Sequence, residues 1–254
     1  ESVDVSFLDL RSVEDTNVLD LTDDQLRDIK TTLDERGFGV SSIGSPVGKT
    51  SIDSDFDQHF ERFERALEVA EFFDTEYVRL FSYFIPEDED PAMYRDEVVE
   101  RLKRKVSLAE ESGVTLLLEN DDGLYGDTPE RCRDLLATID SPRFRAIFDV
   151  GNYLELGVEA YPEAFTQVVE YVDFYHIKDA SLGDEGEMVP AGEGDGRIDE
   201  TLAMSMKRGF SGFLSIEPHL SDAGPESGAS GPDGFRAATR ALQTILDDIG
   251  ADYD

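Results

Sequence analysis

Apolar residues along this chain follow two periods that take turns. Short runs that are mostly or alternately apolar predict seven strands: VDVSFLDL (3–10), GFGVSSIG (37–44), YVRLFS (77–82), VTLLLEN (114–120), FRAIFDV (144–150), VDFYHIK (172–178) and FLSIEP (213–218). Helical spacing fills the intervals. Thr22-Asp23-Asp24-Gln25 reads as a capping box opening a helix to about Arg36, with Gly37 as its stop. Phe56, Phe60, Phe63, Leu67 and Ala70 form the apolar stripe of a helix over about 56–73, and Pro91 opens a long one that runs to about Ser112 before Gly113. Thr128-Pro129-Glu130 supplies an N-cap and a first-turn proline for a helix over 130–138. Further helices are predicted near 160–170, 198–208 and 233–248.

Strands that alternate with helices imply a parallel sheet covered by helices, joined by right-handed crossovers. Either a barrel or a doubly wound sheet satisfies that pattern. The barrel is favoured because residues at four successive strand ends can then converge, which a doubly wound sheet does not require. The fold class expected is therefore α/β, a (β/α)8 TIM barrel forming one domain over 1–254. Seven strands are visible where eight are needed. The first strand-helix unit is expected to precede Glu1, leaving a gap between strand 3–10 and strand 213–217 that a lost segment or a second copy in a homo-oligomer would cover.

The strand ends carry the chemistry. Glu119 closes VTLLLE, Asp149 closes FRAIFD, His176 lies in VDFYHIK and Glu217 follows FLSI, at intervals of 30, 27 and 41 residues. Within the strands, Thr115, Leu117 and Glu119 share one face, as do Phe213, Ser215 and Glu217, so the carboxylates point inward at the mouth. Any one of them could be a cap or a loop acid. Three oxygen donors and one imidazole at one point make a mostly hard set, suited to one divalent ion, Mn, Mg or Co, with Zn also able to bind.

Composition narrows the partners. The chain has 58 acidic and 23 basic residues, a formal net charge of -35, with 39% hydrophobic content in clear periods, which argues against disorder. Such a surface repels nucleic acid and is read as a solvated shell suited to a cytoplasm at high salt. The single Cys132 cannot form an internal disulfide and reads as a core residue in a reducing compartment. No run approaches the roughly 18 apolar residues of a membrane span, and no cationic leader is present; a cytoplasmic location is expected.

In LLLEN, FDVGN, HIKDA, AGEGDGRID and LSIEPH, in this order and spacing, the chain resembles the sugar phosphate isomerase/epimerase superfamily, the xylose isomerase-like barrels that include ketose 3-epimerases, inosose-processing enzymes and hydroxypyruvate isomerases. The resemblance implies that Glu119, Asp149, His176 and Glu217 bind one divalent metal and that Glu119 and Glu217 are the acid/base pair. It implies proton abstraction from a ketose, sugar phosphate or related polyol through a metal-stabilised enediolate, giving isomerisation or epimerisation. The alternatives are an inosose-type dehydratase on the same scaffold and a non-catalytic sugar-binding barrel. One departure stands out: Asn152 occupies the position where ketose 3-epimerases often place a substrate-binding histidine, and an amide does not titrate near neutrality. With only His59, His176 and His219 present, the trinuclear zinc cluster of the superfamily's DNA-repair members cannot be built.

Other substrate-binding candidates are Asn152, Lys178, Asp179, His219 and Arg11. Lys178 shares strand parity with His176 and is one of only six lysines, so it is expected to bring a positive charge to the mouth. Asp179 could orient a ligand or cap the next loop, Arg11 could bind an anion or a local acid, and His219 could reach substrate or solvent. His59 reads as packing. Gly192, Gly194 and Gly196 lie beside Glu193 and Asp195, which would repel phosphate, so that segment is expected to be a mobile lid.

Overall fold

The computed structural model describes residues 3–182, 187–220 and 231–253. Seven parallel strands form the main sheet: β1 (Phe7–Leu10), β2 (Gly39–Ile43), β3 (Tyr77–Leu80), β4 (Thr115–Glu119), β5 (Phe144–Asp149), β6 (Val172–Ile177) and β7 (Phe213–Ile216). They lie in chain order from β1 to β7, so the sheet curls round as a barrel with one open seam between β1 and β7. Across that seam the strands share no ladder, and the Phe7 and Phe213 rings meet edge to face at 5.1 Å. A cavity of about 810 Å³ runs along the seam, with Leu8, Phe213, Ile216, Phe235 and Leu242 in its wall.

Helices α1 (Asp23–Arg36), α2 (Phe56–Phe72), α3 (Arg95–Ser112), α4 (Pro129–Ile139), α5 (Val150–Glu155), α6 (Ile198–Lys207) and α7 (Gly231–Ile249) lie outside or at the mouth. The capping box of α1 is formed in both directions: Gln25 N donates to Thr22 Oγ1 at 3.3 Å and Thr22 N donates to Gln25 Oε1 at 2.9 Å. Gly37 then ends the helix in the left-handed region at φ 74, where a side chain would strain the backbone. No helix among the described residues is long and apolar enough to cross a membrane.

Period-2 alternation splits the apolar residues into two cores. Leu116, Leu118, Phe148 and Tyr175 face outward into a large core shared with the helices, including Phe63, Leu102 and Leu135. Leu117, Ile147 and Phe174 face inward, with Tyr77 and Phe213 packed on them, and form a separate plug inside the barrel. That plug is the floor of the site. Glu119, Asp149 and His176 stand two residues further along these strand faces and Glu217 four past Phe213, so the floor is apolar while the mouth is polar.

Two predicted elements differ from what is observed, and one pair of strands is additional. The first strand is shorter, Phe7–Leu10, with Asp4 at φ 54 breaking the extended run before it. The helix expected near 160–170 is found as three short helical pieces, Ala160–Ala164, Phe165–Val168 and Val169–Tyr171, because Tyr161 is extended and Pro162 cannot donate a backbone hydrogen bond. An antiparallel pair, Asp179–Ser181 with Glu187–Val189, follows β6.

Candidate metal centre

Four side chains from four successive strands meet at the barrel mouth. Glu119 ends β4, Asp149 ends β5, His176 is the fifth residue of β6, and Glu217 follows β7 directly. One ligand-type atom from each lies within 4.8 Å of every other. Glu119, Asp149 and His176 are buried, whereas the Glu217 side chain keeps 20% of its surface and so opens the site to solvent.

Each group is oriented by a contact that leaves a donor atom for the centre. Asp149 caps the short helix α5, its Oδ1 accepting from Asn152 N at 2.8 Å. Its Oδ2 is buried and has no hydrogen-bond partner. An orphaned carboxylate oxygen among other ligand-type atoms is costly unless a cation completes it, and this is the observation that fits a metal to these residues. His176 Nδ1 lies 2.8 Å from Glu119 Oε1, 3.4 Å from Glu217 Oε1 and 3.7 Å from Asp149 Oδ2. Its Nε2 points the other way, 3.1 Å from Asp9 Oδ2.

Two buried cations balance the acids. Arg79, on β3, donates to Glu119 Oε2 at 3.0 Å and lies 3.7 Å from Glu217 Oε1, while its other nitrogens bond Gly44 O at 3.1 Å and Ser45 O at 3.3 Å. Lys178 Nζ lies 3.7 Å from Asp149 Oδ2 and donates to Asn152 Oδ1. Its aliphatic stem lies on Gly151, where a Cβ would fall 2.5 Å from Lys178 Cε; glycine is the residue that fits in FDVGN.

Proton affinities follow from this crowding. Burial alone would lower the His176 pKa, but Glu217 and Glu119, with Asp149 and Asp9, raise it well above the ordinary value. Burial works to raise Asp149, yet Lys178 and His176 hold its carboxyl down at about 2. Asp9 is likewise lowered against its burial by the hydrogen bond from His176. For Lys178, burial opposes the charge and the Asp149 and Glu217 carboxylates prevail, so its pKa is raised.

The remaining candidates separate. Asn152 Nδ2 donates to Asn120 O at 2.7 Å and its Oδ1 accepts from Lys178, so it steadies Asp149 and Lys178 from behind. Asp179 is buried and accepts from backbone donors on both carboxylate oxygens. Its Oδ1 accepts from Ala180 N at 2.9 Å and Gly196 N at 3.0 Å, and its Oδ2 from Gly192 N at 2.9 Å and Gly194 N at 3.1 Å. Of the two roles expected for Asp179, these bonds are those of the residue that caps the next loop, and they tie Gly192, Gly194 and Gly196 to it. His219 Nε2 lies 3.9 Å from Glu217 Oε2 on the rim, and Arg11 is exposed beside the seam cavity. His59 packs outside the centre, accepting from Gly48 N at 2.9 Å.

The sequence reading missed Asp9, Arg79 and Asn120. Asn120 pairs with the Asp149 backbone in both directions at 3.0 Å, extending the β4–β5 ladder with a side chain. Strand parity could have found the first two: Asp9 is in phase with inward Phe7, and Arg79 with inward Tyr77.

The sequence pattern of the xylose isomerase-like TIM barrel family matches residues 3–245. The chain belongs to this family. Among curated proteins it is similar to a 3-dehydroshikimate dehydratase of Bacillus anthracis, 25% identical over 134 residues, which are 53% of this chain and 48% of that protein. The chain spans about half the length of the curated relatives it matches. Among solved structures, a xylose isomerase-like TIM barrel protein of Mycobacterium smegmatis in complex with magnesium superposes with a TM-score of 0.77 at 19% identity, over 98% of this chain and 85% of that one. A D-tagatose 3-epimerase-like protein gives a TM-score of 0.74 at 22% identity, over 93% and 87% of the two chains. At these identities the structures speak for the barrel alone.

Proposed function

We propose that this xylose isomerase-like barrel is a divalent-metal-dependent enzyme that removes a proton from the carbon beside a carbonyl of a small polyhydroxylated substrate and returns it, isomerising or epimerising a ketose, sugar acid or sugar phosphate. The observation that carries the reading is the meeting of Glu119, Asp149, His176 and Glu217 round the unpartnered Asp149 Oδ2. A divalent ion held by these four residues would supply Lewis-acid polarisation of the substrate carbonyl. The chain's own groups account for the proton. Glu217, the ligand with an open side, takes it from carbon, and the C–H electron pair moves toward the carbonyl oxygen to give an enediolate. Glu119, held by Arg79 and His176, is the second carboxylate, able to return a proton to the opposite face.

Lys178 and Arg79 favour a substrate with an acidic group or several oxygens at the mouth, since both cations are buried there. This also favours a second reading, dehydration, in which the same proton abstraction is followed by loss of a β-hydroxyl; similarity to the Bacillus anthracis dehydratase points the same way. The test is incubation with ketoses, sugar acids and 3-dehydroshikimate in deuterated water, with Mn, Mg, Co or chelator. Metal-dependent deuterium uptake at unchanged skeleton supports the isomerase or epimerase, and a product lighter by one water supports the lyase. Binding without exchange or water loss across the panel would leave only the sugar-binding barrel.

A further inference from the structure

We propose that Asp9 is a positioning residue for the metal-binding histidine: it holds the Nε2–H of His176, so that Nδ1 is the nitrogen presented to Glu119, Asp149 and Glu217. The inference rests on the metal-site reading above and assigns a role to a strand from which no ligand comes. A neutral imidazole carries one ring proton, and which nitrogen bears it is set by the hydrogen bond made on the far side from the metal. Here that far side is Asp9 Oδ2 at 3.1 Å from Nε2. An ionised carboxylate only accepts, so Asp9 keeps a proton on Nε2; the ring proton that Nδ1 shares with Glu119 Oε1 at 2.8 Å is the one a cation would displace, leaving the Nδ1 lone pair toward the three carboxylates.

The carboxylate is itself aimed. Ser42 Oγ on β2 donates to Asp9 Oδ1 at 2.7 Å, which leaves Oδ2 for the ring. Gly44 closes the space behind, because a Cβ there would stand 2.9 Å from Oδ1. On the ring's other side Phe174 packs edge to face, with centroids 5.8 Å apart and planes at 81°. A flip of the imidazole would break the Asp9 contact without relieving that packing. The partners are separated by 167 positions in the chain, so the contact ties β1, beside the open seam, to the centre.

The experiment uses the full chain labelled with ¹⁵N-histidine; three histidines give three ring systems, and His59→Gln and His219→Gln assign His176 by elimination. In metal-free wild type the His176 Nε2–H is expected to exchange slowly, and Mn affinity measured by calorimetry sets the reference. Asp9→Ala should lose the slow Nε2–H and weaken Mn binding roughly 10- to 100-fold, while Asp9→Asn, whose carbonyl oxygen can still accept, should restore both to within about tenfold of wild type. Should Asp9→Ala fail to fold, Ser42→Ala, which withdraws the bond aiming Asp9, gives the same comparison with a severalfold loss. Affinity within twofold of wild type in the folded Asp9→Ala or Ser42→Ala protein, or an Asp9→Asn protein no better than Asp9→Ala, would overturn the role. A wild type that takes up no metal would sink the metal-site reading, while the Nε2–H signal, read without metal, still reports the contact.

Discussion

Glu119→Gln and Glu217→Gln make the same chemical change at two carboxylates, and the structure predicts different consequences. Glu119 is buried, with Arg79 at 3.0 Å and His176 at 2.8 Å on its two oxygens. Glu217 touches the same two groups only at 3.7 and 3.4 Å and is 20% exposed. Breaking a buried, hydrogen-bonded ion pair leaves its partner charge uncompensated and costs about 3–5 kcal/mol. For a protein of this size that is a fall in Tm of roughly 6–20 °C in metal-free buffer. Glu217→Gln breaks no contact of that kind and thins a crowd of carboxylates, so its Tm should stay within about 3 °C of wild type.

Activity should separate the two variants in a different way. An amide cannot accept a proton, and loss of a positioned general base costs about 10²- to 10⁴-fold in rate. Glu217→Gln is therefore expected to keep its fold and lose that factor in deuterium exchange at the substrate carbon, followed by NMR or mass spectrometry with Mn present. Glu119→Gln should lose activity and stability together. A Glu217→Gln protein that exchanges the substrate C–H at the wild-type rate would remove Glu217 from the proton-transfer role, and one that melts as low as Glu119→Gln would refute the asymmetry argued from the contacts.

Three further outcomes are expected. Lys105, buried in α3 beneath Tyr83 and beside His59, Arg101 and Arg104, has its pKa lowered to about 7 by burial and by the two arginines. The folded chain thus binds fewer protons than the unfolded one between about pH 7 and the lysine's ordinary 10.5, and stability rises with pH across that window; melting curves should show Lys105→Met raising Tm most below pH 7, with the gain shrinking toward pH 10, and a pH-independent difference would refute the buried charge. Asp179→Asn puts an NH2 against backbone N–H donors now satisfied by a carboxylate, so amide exchange at Gly192, Gly194 and Gly196 should accelerate at least tenfold while the rest of the barrel is unchanged. Gly151→Ala should cost about 1–3 kcal/mol in urea denaturation by driving a methyl into the Lys178 stem, and a neutral result would mean that the stem moves aside freely.

The strands and the four residues that meet at the mouth are legible because two independent regularities coincide in them: inward and outward residues alternate every second position, and the intervals of 30, 27 and 41 residues match strand-helix units. The same alternation holds in β1 and β3, yet Asp9 and Arg79 escaped notice. In a chain with 58 acids an aspartate carries no contrast, and Arg79 lies inside YVRLFS rather than at its end, where chemistry was sought. Arg11, just past β1, is exposed beside the seam cavity, while Asp9, two residues earlier, reaches His176. Asp179 shows a different limit: three backbone donors converge on it from a loop 13 to 17 positions away, beside that of Ala180, and no local pattern announces such a clamp. The helix expected near 160–170 is present but divided into short helical pieces, an apolar spacing interrupted by the backbone of Tyr161 and Pro162.

Charge balance at the mouth connects the missed residues to the legible ones. Asp9, Glu119, Asp149 and Glu217 bring four carboxylates together, and Arg79 and Lys178 are the fixed cations that touch them among the described residues. With His176 neutral, two negative charges remain, the charge that a divalent cation neutralises. Four carboxylates alone would bind a metal in a site that repels every acidic or enolate-like species; six charged groups as placed here leave a loaded centre near neutrality, with Arg79 and Lys178 still beside it. In the metal-free protein the same arithmetic explains why His176 is driven toward protonation, since the ring is the remaining group able to supply positive charge at that point. The two buried cations are therefore as much a part of the candidate centre as the carboxylates: they set how much charge a bound ion would have to neutralise there.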